Sequence, residues 1–144
     1  MTTNALLISI HFAVALTLGG QAKSGDRCLD KAWPAVDAAH SWRGLRVWFD
    51  QYADCDDGVV GEGMSDKVAQ WLAKDWRGLS KLRKEFRLRP SFEKFVLEHI
   101  NATDDPDDLR KIILNAEKHC PSGASSLCNS FIAHARAALA FQSW

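Results

Sequence analysis

Four cysteines, Cys28, Cys55, Cys120 and Cys128, have the most predictable chemistry of any residues in this 144-residue chain. In a small exported domain, an even number of cysteines predicts disulfide bonds, and four cysteines allow three pairings. Proximity along the chain favours Cys120–Cys128 and, by elimination, Cys28–Cys55. A zinc site is not favoured, because these spacings differ from the short cysteine pairs of zinc-binding proteins.

Acidic clusters and histidines are the next candidates for chemistry. The acidic residues at positions 54–62 lack the alternating ligand positions of a calcium loop, so capping and turn roles are favoured. The acidic residues at positions 104–108 are placed to cap a helix N-terminus. No serine lies in a nucleophile-elbow context, and no phosphate-binding glycine loop is present. The sequence therefore predicts a protein that is not an enzyme, in which His99 and Thr103 are structural.

A basic segment lies at residues 77–89, where six Lys or Arg residues are opposed only by Glu85. Apolar residues at helical spacing between them predict an amphipathic helix with a cationic outer face that includes Arg83 and Arg87. The simplest interpretation is a solvated face, and the functional one is contact with an acidic partner or with anionic envelope polymers. A nucleic-acid ligand is not expected, because the formal net charge is 0.

The N-terminal segment predicts export. No charged residue precedes Lys23, and residues 5–18 form an apolar run that ends near Gly20 and Ala22. This pattern is typical of a secretory signal peptide at residues 1–22, followed by one domain at residues 23–144. The run is shorter than a spanning helix, so we expect no membrane anchor after cleavage. The alternative is a buried N-terminal helix.

The periodicity of the exported part predicts helices. Hydrophobic residues make up 47% of the chain, and six Trp and seven Phe predict a dense core. Alternating strand patterns are absent, so we expect an all-α fold of five to seven helices in a compact, disulfide-bonded array. The three glycines at positions 58–63 indicate a turn or a closely packed helix start. Helix starts are predicted at Ser41, Ser65, Pro90 and about Ser126, with breaks at residues 101–106 and 121–124.

Four segments carry the most specific pattern in the chain. They are residues 57–66 (DGVVGEGMSD), residues 72–76 (LAKDW), residues 90–103 (PSFEKFVLEHINAT), and Cys120-Pro121 with Cys128. Together they resemble the immunity proteins of type VI secretion amidases, specifically the group that neutralises the fourth class of amidase effectors. The resemblance covers about residues 50–140. The Phe-Val-x-x-His-Ile-x-x-Thr and Cys-Pro…Cys segments are its most specific parts.

The resemblance implies a small helical periplasmic protein that forms homodimers. Such a protein binds a cognate amidase toxin, a peptidoglycan DL-endopeptidase of the papain-like cysteine class, and blocks its active-site groove. It implies neither catalysis nor a cofactor. The alternative function is that of a small exported structural or adaptor protein with no toxin partner.

The loop between Cys120 and Cys128 is the candidate partner-binding element, and the basic helix with Arg83 and Arg87 is the second candidate. A disulfide across a short loop limits its conformations before binding, which lowers the cost of ordering it. The competing interpretation is a helix–helix connection that is bridged for stability alone. The candidate loop residues are small and uncharged, and they are Pro121, Ser122, Gly123, Ala124, Ser125 and Ser126.

Overall fold

The computed structural model describes residues 27–143, which form seven α-helices and no strand. This confirms the predicted all-α fold, while the signal-peptide prediction for residues 1–22 lies outside the described residues. A π-helical turn (Cys28–Ala32) precedes the first helix, and 3₁₀ turns (Ala53–Cys55 and Trp76–Gly78) follow the second and third. The helices are α1 (Trp33–Ala38), α2 (Trp42–Tyr52), α3 (Gly58–Lys74), α4 (Leu79–Leu88), α5 (Pro90–Glu98), α6 (Pro106–Lys118) and α7 (Ser125–Gln142).

Several helices begin where the sequence predicts. Ser41 caps α2, because its Oγ accepts a hydrogen bond from the Gly44 N–H at 3.0 Å. Pro90 occupies the first position of α5, where its missing N–H costs nothing. Asp105 caps α6 by accepting the N–H groups of Asp107 and Asp108. Short-range capping chemistry therefore sets these three boundaries.

The predicted helix start at Ser65 is wrong. The helix begins seven residues earlier, at Gly58, and Asp57 is its N-cap. Ser65 lies buried inside α3, because the glycine-rich segment before it is helical and closely packed. A Cβ atom at Gly63 would lie 2.4 Å from the Trp33 ring, so only glycine allows this approach.

The core lies between the seven helices and is rich in aromatic residues. Helix α6 packs against both α3 and α7. The Gln142 amide at the end of α7 donates to the carbonyls of Ala102 and Asp104, which precede α6, so α6 and α7 are antiparallel. Each fully buried large side chain contributes roughly 1.5–3 kcal/mol. The largest buried side chains are Phe92, Phe131, Leu45, Met64, Leu72, Leu79, Leu82, Leu109 and Ile112.

Both disulfide bonds join the predicted pairs. Cys28 is bonded to Cys55, and Cys120 is bonded to Cys128, so none of the four cysteines is free. Disulfides of this kind are typical of an oxidising, extracytoplasmic environment. Within residues 27–143, no helix combines the length and apolar character needed to span a membrane.

Candidate functional site

The segment between Cys120 and Cys128 contains a tight turn whose third residue has a backbone conformation that favours glycine. The Ala124 N–H donates to the Pro121 carbonyl at 3.0 Å, which closes a four-residue turn. Gly123 is the third residue of this turn and has a φ of 70°. A side chain at this φ is strained, so glycine suits the position. Helix α7 begins directly afterwards at Ser125, which leaves Ser122 and Gly123 exposed at the tip of the turn.

Arg83 joins the basic helix to this turn. Its Nη2 donates to the Gly123 carbonyl at 2.8 Å, across 40 residues of sequence. A hydrogen bond from a charged donor is stronger than a neutral one, and it fixes the direction of the carbonyl. The structure therefore brings the two candidate partner-binding regions, residues 121–126 and the helix with Arg83 and Arg87, onto one surface.

A groove of about 390 Å³ lies between α4 and the loop. Phe86 and Leu127 are buried apolar side chains in its lining, while Arg87 and Ser126 are exposed. We call this the first groove. Ala124, which the sequence places among the partner-binding residues, is buried and lines the same groove. Its complete lining is Arg83, Phe86, Arg87, Pro90, Glu93, Gly123, Ala124, Ser126 and Leu127.

Most of the basic side chains on this surface carry unneutralised charge. Among the described residues, only one cation of the 77–89 segment forms an ion pair, Arg89 with Asp50 at 3.0 Å. Glu85, the one acidic residue of the segment, is buried and bonded to Arg46 at 2.8 Å. Its charge is thus directed away from the outer face of α4. The cations without an ion pair are Arg77, Lys81, Arg83, Lys84 and Arg87.

A second polar cluster centres on His99, at the end of α5. Its Nε2 lies 3.1 Å from Asp56 Oδ2, and its Nδ1 lies 2.8 Å from Ser65 Oγ. When the carboxylate accepts the Nε2–H, Nδ1 is the acceptor for the Ser65 hydroxyl. Asn101 completes the chain by donating its side-chain N–H to Ser65 Oγ at 2.9 Å. Each of these three hydrogen bonds then has one N–H or O–H donor and one acceptor atom.

A serine, an imidazole and a carboxylate in series are also the groups of a hydrolytic triad. Ser65 is only 2% exposed, however, and it lies within a helix rather than on an exposed turn. Its Oγ is already hydrogen-bonded to His99 and accepts the Asn101 side-chain N–H. We interpret the cluster as a structural network that ties α3 to the turn before it and to the residues after α5.

Thr103 closes the turn that follows His99, as the sequence predicts. Its N–H and its hydroxyl both donate to the Asn101 side-chain carbonyl, at 3.0 and 2.8 Å. This arrangement is an Asx-type turn. The sequence signals His99 and Thr103 individually, but no local pattern indicates that Ser65 or Asp56 is a partner of His99. Ser65 and Asp56 are 34 and 43 residues away from His99 in the sequence, so only the tertiary fold brings them together.

Asp104 is a buried carboxyl beside this cluster. It is 2% exposed, and its Oδ2 accepts the Asn101 backbone N–H at 2.8 Å. Its Oδ1 is buried and has no hydrogen-bond partner among residues 27–143. Burial in this low-dielectric position raises the pKa of Asp104 to about 6. The acidic cluster of residues 104–108 is therefore not only a helix cap, because Asp105 alone provides that function.

Comparison of the chain with protein-family models, with curated proteins and with solved structures found no match in any of the three.

Proposed function

We propose that the protein is a periplasmic immunity protein that inhibits a type VI secreted peptidoglycan amidase, a DL-endopeptidase, and so protects the cell wall. The sequence resemblance supplies the class of partner. The observation that carries the proposal is the exposed, disulfide-closed turn that Arg83 holds at the edge of a groove. Neither a catalytic residue nor a cofactor of this chain is required for inhibition.

The proposed mechanism is obstruction of the amidase groove. A papain-like amidase must admit a peptide strand to a cysteine at the bottom of a cleft. Ser122 and Gly123 are small and exposed at the tip of the turn, so the tip can enter such a cleft with backbone groups leading. The disulfide, the positive φ of Gly123 and the Arg83 bond set the loop conformation before binding. Little conformational entropy is then lost on association.

The proposal includes a homodimer, as the resemblance implies. Light scattering of the purified residues 23–144 measures this directly, with a mass of two chains as the expected result. A monomer would restrict the proposal to one inhibitor chain for each toxin, without changing the role of the loop.

Ser122→Arg tests the mechanism at the tip of the turn. Ser122 is exposed and makes no side-chain hydrogen bond among the described residues, so the variant should fold normally. A long charged side chain at the tip should clash with the walls of a narrow cleft. We expect inhibition of peptidoglycan digestion by the cognate amidase to weaken by at least about tenfold, at an unchanged melting temperature.

Ala137→Arg is the matched control. This residue is exposed on α7, about 18 Å along the helix from Ser125. We expect full inhibition from this variant. If Ser122→Arg also inhibits fully, the loop is not the obstructing element. If the wild-type protein neither binds nor inhibits any secreted amidase encoded in a neighbouring gene, the proposed function itself is wrong.

A further inference from the structure

A second groove, of about 560 Å³, borders the loop at Pro121, whereas the first groove borders it at Gly123 and Ala124. The first half of α4 and the turn before it border this second groove, whereas the second half of α4 borders the first groove. Three cations, Lys74, Arg77 and Lys111, contribute to its lining, with Asp75 as the one carboxylate. Pro121 at the start of the loop also lines it. The uncharged loop thus lies between two grooves that both carry cations.

Hydrogen bonds to backbone carbonyls fix the walls of the second groove. The Trp76 Nε1–H donates to the His119 carbonyl at 2.9 Å. The buried Asn115 amide donates to the carbonyls of Leu72 and Ala73 at 3.1 and 3.0 Å. These bonds connect the end of α3 to the last turns of α6. The cations at the rim of the groove therefore stand on a rigid base.

The charge on this side of the molecule differs strongly from that of the whole chain. The two grooves and the exposed face of α4 present seven cationic side chains and two carboxylates, and only one of these cations, Lys74, forms an ion pair, with Asp108 at 3.2 Å, in a chain with a formal net charge of 0. Like charges gathered on one surface repel each other and attract an anionic partner. The cations are Lys74, Arg77, Lys81, Arg83, Lys84, Arg87 and Lys111, and the carboxylates are Asp75 and Glu93.

We propose that the amidase partner carries carboxylate groups on both sides of the cleft that the loop enters. This inference rests on the proposed function and adds the chemistry of the partner surface. Insertion of the loop would place the first groove against one rim of the cleft and the second groove against the other. An acidic rim on each side would neutralise cations that have no ion pair within residues 27–143, principally Arg77, Arg87 and Lys111.

Charge reversal in each groove tests this. Arg87→Glu alters the first groove, and Arg77→Glu/Lys111→Glu alters the second; all three residues are exposed. Arg83 is kept, because it holds the loop. The association rate with the cognate amidase is measured at about 50 and about 500 mM NaCl. Each variant should associate about tenfold more slowly at the lower salt concentration, and the difference should shrink at the higher one.

Lys31→Glu/Arg43→Glu is the matched control, because both side chains are exposed and lie outside the two grooves. Its association rate should stay within about twofold of the wild-type rate. A wild-type rate in the variant of either groove overturns the two-sided model, as does an equal slowing of the control. In both cases a wild-type protein that still inhibits the amidase leaves the proposed function intact. Retention of the wild type on heparin without salt-dependent amidase binding would assign the grooves to an anionic polymer.

Discussion

His99 connects three segments of the chain through two side-chain hydrogen bonds, to Ser65 and Asp56. Removing the imidazole would leave both partners buried or half-buried without it. We expect His99→Ala to lower the free energy of unfolding by about 1–3 kcal/mol, measured by urea denaturation. Inhibition of the proposed amidase partner per folded molecule should not change, because His99 lines neither of the two grooves beside the loop.

His134→Ala is the control for this substitution. His134 is half-buried beside α5 and makes no side-chain hydrogen bond within the described part of the chain, so we expect a change of about 0.5 kcal/mol or less. A His99→Ala protein with normal stability and lost inhibition would identify His99 as a contact residue instead.

Asp104 makes stability depend on pH. The pKa of Asp104 is raised from 3.8 to about 6 in the folded protein, so the folded state holds this proton more tightly than the unfolded chain. The contribution of Asp104 is therefore most favourable below pH 4 and is lost as the pH rises through 6. Between these pH values the contribution of Asp104 to the free energy of unfolding changes by about 2–3 kcal/mol. His99, Asp66 and Asp108 also act on this carboxyl, so a variant is needed to isolate it.

Asp104→Asn isolates the effect, because the amide oxygen can still accept the Asn101 N–H. Raising the pH from 4 to 7.5 should lower the free energy of unfolding of the wild type by about 2–3 kcal/mol relative to that of the variant. Denaturation at both pH values measures it, and Asp30→Asn, at an exposed position that does not act on Asp104, provides the comparison. The same pH profile in wild type and Asp104→Asn would contradict the assignment.

At the scale of the elements, Gly63 sets the distance between α3 and Trp33. An added Cβ atom would lie 2.4 Å from the ring, so ring or helix must move. We expect Gly63→Ala to lower the melting temperature, at a cost of about 1–3 kcal/mol from overpacking. Gly44→Ala in α2 is the matched substitution, since its nearest atom lies at an ordinary 3.4 Å. Its higher helix propensity should leave stability unchanged or raised. Equal effects at the two sites would refute the packing argument.

Helix boundaries that are set by local contacts could be predicted from the sequence, whereas those that involve tertiary packing could not. Ser41, Pro90 and Asp105 act on their own helix ends, within three residues, and those boundaries follow from local chemistry. The start of α3 also has a local cap, because the Asp57 side chain accepts the Gly58 N–H, but the helix then continues through three glycines. Serine preference at helix caps gave the wrong boundary at Ser65, because glycines disfavour a helix locally, and only the tertiary contact with Trp33 explains why Gly63 lies inside one.

The parts of the candidate site could be predicted from the sequence, but their arrangement in space could not. The small residues of the loop and the cations of α4 are visible in the sequence as two separate features. Their union depends on Arg83 bonding to Gly123, 40 residues away, and no periodicity or motif encodes that contact. In the cluster around His99, likewise, the sequence pattern indicates His99 but does not indicate its partners Ser65 and Asp56.

For the whole molecule, charge is distributed unevenly between two surfaces. The loop surface is cationic, whereas the groove beside His99 is lined by the carboxylates of Asp56, Asp57, Glu62 and Glu98. The zero formal charge of the chain thus conceals one cationic and one acidic surface. An anionic partner is therefore attracted to the loop surface and repelled by the groove beside His99.

The connectivity of the two disulfides has a consequence for biogenesis. Each bond joins cysteines that are consecutive along the chain, Cys28 with Cys55 and Cys120 with Cys128. When such a chain enters an oxidising compartment N-terminus first, Cys55 meets only Cys28, and that pair is closed before Cys120 emerges. Oxidation in order of arrival therefore yields the native pairs directly, without any thiol–disulfide exchange to correct them. Accumulation of the folded protein should accordingly need a disulfide-forming oxidase but no disulfide isomerase.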